Sequence, residues 1–242
     1  MKNILRQILV LAGGLGTRLQ SLVSDKPKPM APINGKPFLA YLLDYWIGQG
    51  INLIGISVGY KAEKIKDYFG YKYNGAKIFY IEELEPLGTG GAIRKAINLK
   101  NSCWTENELI IINGDTWFEI SLTKFIKDFK INNNPITIAV KFLETNNRYN
   151  SVVINNHHLV EDFNNSRLNN SFINGGCYLV NKEFFINYLK NFPDKFSFEK
   201  IILKDLANKK VISASIQNAN FIDIGVPEDY IKANKIINKI LN

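Results

Sequence analysis

Residues 8–19 read ILVLAGGLGTRL, a short apolar run followed at once by a glycine-rich loop. The run 8–11 is continuously apolar, which favours a buried strand. Gly13, Gly14 and Gly16 mark the loop, because glycine tolerates backbone conformations that other residues avoid. Such a loop lets backbone N–H groups approach a phosphate without side-chain bulk. The stretch therefore predicts a buried strand leading into a loop that can bind phosphate.

Strands and helices alternate over the first 145 residues. Apolar runs predict strands at 8–11, 53–58, 77–81, 109–112 and 136–142. Amphipathic segments between them predict helices at 37–49, 61–69, 88–99 and 121–130, with Ser121 as a cap. This alternation predicts an α/β fold of three αβα layers, Rossmann-like, with helices on both faces of a mostly parallel mixed sheet. Ligands of such sheets bind beyond the carboxyl ends of the strands.

The remaining chain has a different character but no long linker. Pro27, Pro29 and Pro32 predict that residues 24–34 are extended. Residues 146–174 are polar and asparagine-rich, and strands and helices then continue to a closing amphipathic helix at 227–241. We therefore expect one domain over residues 1–242, in which about 1–145 and about 146–242 form two parts of the same sheet.

Composition excludes several classes of protein. The chain has 46% hydrophobic and 21% charged residues, values of an ordinary folded protein with a buried core. Its net charge of +8 is spread along the chain, which favours a solvated surface and not a nucleic-acid site. No apolar run approaches the length of a membrane span, so we expect no membrane partner and a cytoplasmic location. Cys103 and Cys177 fit no metal or disulfide pattern and are expected to be buried thiols.

Two cations accompany the glycine loop. Arg18 offers a planar donor fork suited to phosphate oxygens, and Lys28 in the segment KPMAP adds a point charge. A tight structural turn would explain the glycines alone. A dinucleotide-binding loop fits less well, because Leu19 stands where a third glycine or alanine is needed. A Walker-type loop is absent, and an NTP-binding loop accounts for the glycines and both cations together.

Two aspartates lie in apolar surroundings. Asp115 follows a predicted buried strand, and Asp223 stands between two isoleucines. A buried acid is costly unless it is paired or bound to a metal. A turn aspartate and a buried salt bridge would explain each one separately. Together with a phosphate loop, the pair indicates a Mg²⁺ site, since Mg²⁺ prefers one or two carboxylates plus substrate phosphates.

The chain resembles the sugar-phosphate nucleotidyltransferase family over nearly its whole length. The resemblance rests on residues 11–19 followed by KPMAP at 28–32, EPLGTGGA at 85–92, NGD at 113–115, INGG at 173–176, FSFE at 196–199 and FIDIG at 221–225. It is most marked for the D-glycero-D-manno-heptose 1-phosphate guanylyltransferase group. This resemblance implies the nucleotidyltransferase fold, a nucleotide-binding first part and a sugar-binding second part.

The resemblance also implies roles for individual residues. Catalysis would involve Arg18, Lys28 and Asp115, and Mg²⁺ would be held by Asp115 and Asp223. Nucleotide contacts would come from Leu11, Ala12, Gly13, Gly14, Gly16, Thr17, Arg18, Lys28, Pro86, Gly88, Thr89 and Gly90. Sugar-phosphate contacts would come from Asn113, Trp117, Asn174, Gly175 and Glu199, although Trp117 fits packing in the core equally well. The glycines at 88–91 also fit a simple capped helix start.

The reaction implied is transfer of a nucleotidyl group, GMP, from an NTP to a sugar 1-phosphate, D-glycero-D-manno-heptose 1-phosphate. The partners would be these small molecules, in a monomer or small homo-oligomer that supplies a bacterial capsule, lipopolysaccharide or S-layer glycan. A hexose 1-phosphate with GTP, UTP or dTTP and a non-catalytic nucleotide-sugar-binding relative stay open as alternatives, and an NAD(P)-dependent oxidoreductase is a distant third. Relatives often carry a Glu-Lys pair where this chain has Asn165-Ser166, with Glu161 nearby, which leaves the sugar open.

Overall fold

A computed structural model describes residues 6–14, 16, 19, 23, 25–99, 104–164 and 166–241 of the chain. Thr17, Arg18, Ser24, Cys103 and Asn165, on which predictions were made above, lie outside these ranges. Within them, no helix is both long and apolar enough to cross a bilayer.

The strands agree with the predicted apolar runs to within a few residues, and several short strands are added. They are β1 (Gln7–Leu11), β2 (Pro32–Ile33), β3 (Lys36–Pro37), β4 (Leu53–Val58), β5 (Lys72–Tyr73), β6 (Ala76–Glu82), β7 (Glu108–Asn113), β8 (Thr116–Phe118), β9 (Ile136–Leu143), β10 (Ser151–Ile154), β11 (Val160–Asn164), β12 (Ser171–Asn181), β13 (Ile212–Ile216) and β14 (Phe221–Asp223).

The helices also follow the predicted amphipathic segments. They are α1 (Phe38–Gly48), α2 (Ala62–Phe69), α3 (Gly88–Ile97), α4 (Leu122–Asn132), α5 (Lys182–Tyr188), α6 (Lys204–Asn208) and α7 (Pro227–Leu241). The predicted cap of α4 is confirmed, because the Ser121 side chain accepts a hydrogen bond from the backbone N–H of Lys124.

A ten-stranded mixed sheet forms the centre of the fold. Strands β7, β1, β4 and β6 are neighbours in that order and run parallel. β12 lies between β7 and β9 and is antiparallel to both, so β9 runs in the same direction as β7. The five strands predicted from the alternation therefore share one direction, which confirms a mostly parallel mixed sheet. The carboxyl ends of these strands lie on one edge.

Two apolar cores cover the two faces of the sheet, which confirms the three layers. Along β1, Ile8 and Val10 belong to one core and Leu9 to the other, as the alternation of side chains in a strand requires. Buried residues of α1, α2, α4 and α7 join the first core. Those of α3, α5 and α6 join the second. Burial also raises the pKa of the Cys177 thiol well above its usual value.

The prediction of a continuous extended segment at 24–34 is wrong at Lys28–Met30, which forms a three-residue 3₁₀ turn. Pro29 fits there because the first residues of a short helical turn need no N–H donor. Pro29 and Met30 are buried, and the turn directs Lys28 toward the carboxyl edge of the sheet. Residues Phe198–Leu203 form a π-helical segment that α6 follows directly.

Candidate active site

The glycine loop leaves the carboxyl end of β1 and folds over the Lys28 turn. Gly16 has a φ of +61°, and a Cβ atom there would lie 2.8 Å from the Cβ atom of Lys28. Glycine is therefore required at this position by conformation and by space. At Gly14 a Cβ atom would meet nothing within 4 Å, because this part of the loop borders a cavity.

This first cavity has a volume of about 350 Å³ and lies beyond the carboxyl ends of β1, β6 and β7. Its lining includes nine residues predicted to bind the nucleotide: Leu11, Ala12, Gly13, Gly14, Gly16, Lys28, Pro86, Gly88 and Thr89. Asn113 and Asp115 also line it, as do Pro29, Glu83, Ala92 and Gly225, for which no role was predicted. Local sequence and topology thus bring the predicted phosphate loop and the EPLGT segment to one place.

Asp115 and Asp223, which we call the acid pair, lie side by side although they are distant in sequence. Asp115 stands in the turn between β7 and β8, and Asp223 ends β14. β14 pairs with β8 in the register that sets Asp223 opposite Thr116, and the N–H of Ile224 donates to the carbonyl oxygen of Asp115 at 3.1 Å. A small two-stranded sheet therefore holds the acid pair at the mouth of the central sheet.

Lys28 contacts both members of the acid pair. Its Nζ donates to Oδ2 of Asp115 at 2.5 Å and lies 3.9 Å from Oδ1 of Asp223. The Lys28 side chain is only 11% exposed, so screening by water is weak and the attraction is stronger than at a surface. The sequence-predicted cation and carboxylates thus form one cluster.

The pKa of Asp223 reflects its burial and its charged neighbours. Burial and the neighbouring Asp115 carboxylate raise the pKa of Asp223, while Lys28 and Arg148 act in the opposite direction. The charged form of Asp223 is therefore disfavoured in the protein by desolvation first and by like charge second. A positive charge arriving at the acid pair would relieve both effects.

A second cavity, of about 1220 Å³, lies on the other side of the acid pair. Asn174, Glu199 and Asp223, all predicted site residues, line it. The cavities adjoin at two points. Asp115 faces the first and Asp223 the second, and Thr89 Oγ1 of the first donates to Glu199 Oε2 of the second at 2.6 Å. The acid pair and Lys28 therefore stand where the two cavities meet.

The structure places four of the predicted site residues away from the cavity that their predicted contacts would require. Trp117 is 2% exposed and packs against Tyr45 in the core, because it faces inward from β8. A Cβ atom at Gly90 would enter the Phe196 ring, and one at Gly175 would enter the Phe118 ring. These two glycines thus permit close packing and do not line either cavity. Asn113 was predicted to contact the sugar phosphate, but it lines the first cavity, with most of the predicted nucleotide residues, and not the second.

Glu83 and Arg148 are charged residues of the site for which the sequence analysis predicted no role. Glu83 follows β6 at the carboxyl edge, accepts from Ser57 Oγ at 2.8 Å and from the Leu87 N–H at 3.1 Å, and lines the first cavity. Its position just after a parallel strand was the available signal. Arg148 contacts Asp223 from within the polar, asparagine-rich segment, where nothing local distinguishes it from a surface arginine.

Comparison with known proteins agrees with this geometry. The sequence model described as "Nucleotidyl transferase" matches residues 7–240. The D-glycero-alpha-D-manno-heptose 1-phosphate guanylyltransferase of Campylobacter jejuni is 43% identical over 225 residues, which are 93% of this chain and 96% of the relative. The protein of the same name from Aneurinibacillus thermoaerophilus is 42% identical over 229 residues, 95% of this chain and 97% of the relative.

A solved structure is similar over the same length. The crystal structure of HddC from Yersinia pseudotuberculosis superimposes with a TM-score of 0.84 at 38% identity, covering 96% of this chain and all of that one. Its complex with GMP-PN gives a TM-score of 0.82 at the same identity and coverage. The full-length match, the shared fold and the phosphate loop beside two carboxylates lead to one conclusion: the chain belongs to the nucleotidyl transferase family.

Proposed function

We propose that this enzyme transfers GMP from GTP to D-glycero-α-D-manno-heptose 1-phosphate, forming a GDP-heptose and pyrophosphate. The activity for which the two relatives above are named and the GMP-PN complex of HddC support the choice of base and sugar. The observation that carries the chemistry is the acid pair with Lys28 at the junction of two cavities. Because NTPs are cytoplasmic metabolites, the proposal goes with a cytoplasmic location.

We assign the first cavity to the nucleotide and the second to the sugar phosphate. The glycine loop and the start of α3 line the first cavity with backbone groups that can approach phosphates and a flat base. Asn113 lines this cavity, and its Oδ1 is buried without a hydrogen-bond partner in the described part of the chain. Strands of both parts share one sheet, which supports a single domain over residues 1–242.

The acid pair suits a magnesium ion. Two hard carboxylates converge beside Lys28, and burial and the Asp115 carboxylate disfavour the charged form of Asp223, so a bound dication would stabilise the ionised pair. Asp115 and Asp223 would hold Mg²⁺ together with substrate phosphates. When bound, the ion would supply positive charge that polarises the phosphates and lowers their mutual repulsion.

The chain's own residues then need to orient two anions. The sugar 1-phosphate already carries an ionised oxygen, so its attack on the α-phosphorus of GTP requires no general base. The P–O bond to pyrophosphate breaks in line as the new one forms. We assign Lys28 to the incoming phosphate, since its Nζ lies at the junction of the cavities. Arg18 follows the phosphate loop in sequence and is assigned to the leaving pyrophosphate.

The direct test is pyrophosphate release. Four NTPs are assayed with Mg²⁺ against D-glycero-α-D-manno-heptose 1-phosphate and a panel of hexose 1-phosphates. GTP with the heptose is expected to give the highest kcat/KM. Faster pyrophosphate release with a hexose 1-phosphate, or with UTP or dTTP, would support the reaction type but show that the proposed substrate is wrong. Nucleotide-sugar binding without any pyrophosphate release would contradict the enzymatic proposal.

Gly14→Ala tests the nucleotide cavity without disturbing the fold. The added methyl meets no protein atom, but it enters the space assigned to the polyphosphate. We expect an unchanged Tm and a KM for GTP raised about tenfold, which corresponds to about 1.4 kcal/mol. Gly90→Ala is the contrasting variant, because its methyl enters the buried Phe196 ring and overpacking costs about 1–3 kcal/mol of stability. An unchanged KM in Gly14→Ala would place the nucleotide elsewhere.

A further inference from the structure

Arg148 contacts Asp223 of the acid pair, a residue of α7 and a neighbouring aromatic ring. Its Nη2 donates to Oδ2 of Asp223 at 2.8 Å, and its Nη1 is ion-paired with Asp229 on α7. The guanidinium lies 5.0 Å from the centre of the Tyr149 ring. Its side chain is three-quarters buried. One planar fork thus joins the end of β14 to the first turn of α7.

The backbone next to Asp223 is shaped for this pair. A Cβ atom at Gly225 would lie 2.6 Å from Nη2 of Arg148 and 2.7 Å from Oδ1 of Asp223. The N–H of Gly225 donates to the same Oδ1 at 2.6 Å. Only glycine at position 225 leaves room for Arg148, and the N–H of this glycine fixes Oδ1 of Asp223. Both oxygens of Asp223 are therefore oriented by groups that the mechanism above does not use.

We propose that Arg148 is a positioning residue for Asp223. By binding Oδ2 it holds the carboxylate so that Oδ1 faces Lys28 and the acid pair, and by binding Asp229 it couples that orientation to α7. The inference rests on the proposed function, in which Asp223 is a metal ligand. It assigns Arg148 a role in metal affinity, through Asp223, and no contact with the reacting atoms.

Two effects of removing Arg148 oppose each other. Loss of a cation makes the site more negative, which by itself would tighten binding of a dication. Loss of the guanidinium lets the Asp223 carboxylate rotate and leaves Asp229 with Lys232, at 3.3 Å, as its remaining ion-pair partner in the described part of the chain. Groups that orient metal ligands typically account for about 10- to 100-fold in affinity. The Arg148 guanidinium contacts Asp223 through one nitrogen and Asp229 on α7 through the other. We therefore expect the loss of carboxylate orientation to outweigh the change in charge.

The test measures Mn²⁺ binding to the full chain by electron paramagnetic resonance, beside the Mg²⁺ dependence of pyrophosphate release. Arg148→Met should weaken Mn²⁺ binding about 10- to 100-fold and raise the Mg²⁺ concentration for half activity, with turnover largely restored at high Mg²⁺. Arg148→Lys keeps the charge without the fork and should lie between Met and wild type. Asp229→Asn should weaken Mn²⁺ binding in the same direction, but less.

Arg94→Met is the matched control. Arg94 is as buried as Arg148, pairs with Asp194 at 3.2 Å and lies at a different cavity, so its loss should leave Mn²⁺ binding unchanged. Thermal unfolding checks that each variant is folded. Unchanged or tighter Mn²⁺ binding in Arg148→Met, or wild-type binding in Arg148→Lys, would overturn the positioning role. Absence of Mn²⁺ binding or of pyrophosphate release in the wild type would instead remove the proposed function, and the role of Arg148 with it.

Discussion

Asp115→Asn is expected to lower kcat about a thousandfold, since in the proposed mechanism it removes a metal ligand and with it about 4 kcal/mol of transition-state stabilisation. The substitution keeps the shape of the side chain and removes only the charge. Mn²⁺ binding should weaken in parallel, because Asp223 alone then faces the ion. The fold should survive, as Lys28 keeps Asp223 as a neighbour at 3.9 Å.

Asp44→Asn provides the matched control for this variant. Asp44 is ion-paired with Lys36, and its side chain is exposed to nearly the same extent as that of Asp115, at 30% against 33%. It lines neither cavity. The control should keep wild-type kcat and Mn²⁺ binding. If Asp115→Asn retained near-normal turnover, Asp115 would have no place in the mechanism.

Lys28→Met is expected to lower kcat about 100- to 1000-fold, the usual effect of removing one preorganised charge that stabilises a transition state. Its effect on the metal should have the opposite sign from that of Asp115→Asn. The Lys28 ammonium lies against the same carboxylates that would hold the ion, so in the free enzyme it competes with a metal. Removing it should tighten Mn²⁺ binding while turnover falls.

A lower kcat together with tighter Mn²⁺ binding would distinguish an effect of the Lys28 charge from a loss of structure. Lys36→Met breaks a comparable lysine–aspartate pair outside the site and should change neither kcat nor Mn²⁺ binding. Thermal unfolding is followed for both variants, because Lys28→Met removes the ion pair of Asp115 and leaves Arg148 to offset the charge of Asp223, which should lower Tm. Weaker Mn²⁺ binding in Lys28→Met would mean that the lysine supports the acid pair and does not compete for it.

Local pattern predicted a large part of the site. The glycine loop was expected because glycines follow a short apolar run, and its cavity lies at that place. Asp115 was expected near it because both follow parallel strands, whose carboxyl ends share one edge. Asp223 was singled out by its apolar neighbours. The resemblance to a known family then joined these residues into one site, which periodicity alone does not do.

The surroundings of other predicted site residues depend on packing that the sequence does not show. Trp117 follows the Gly-Asp turn, and only the pairing of β8 with β14 shows that its ring faces the core. The glycine at 90 reads as a base-binding position, but its neighbour is the Phe196 ring, 106 residues further along the chain. The short turn at Lys28–Met30 depends on burial of Pro29 and Met30, which three prolines in sequence do not reveal.

The sequence by itself determined the α/β alternation, the phosphate loop and the chemical identity of the acid pair, because these depend on residue type and on spacing along a few turns or strands. Tertiary structure alone decided that Lys28 sits between Asp115 and Asp223, and that Arg148 holds Asp223 against α7. The Lys28–Asp115 and Arg148–Asp223 contacts join residues 87 and 75 positions apart, respectively. They depend on strand register and helix docking, which are set by the packing of the whole core and not by any local pattern.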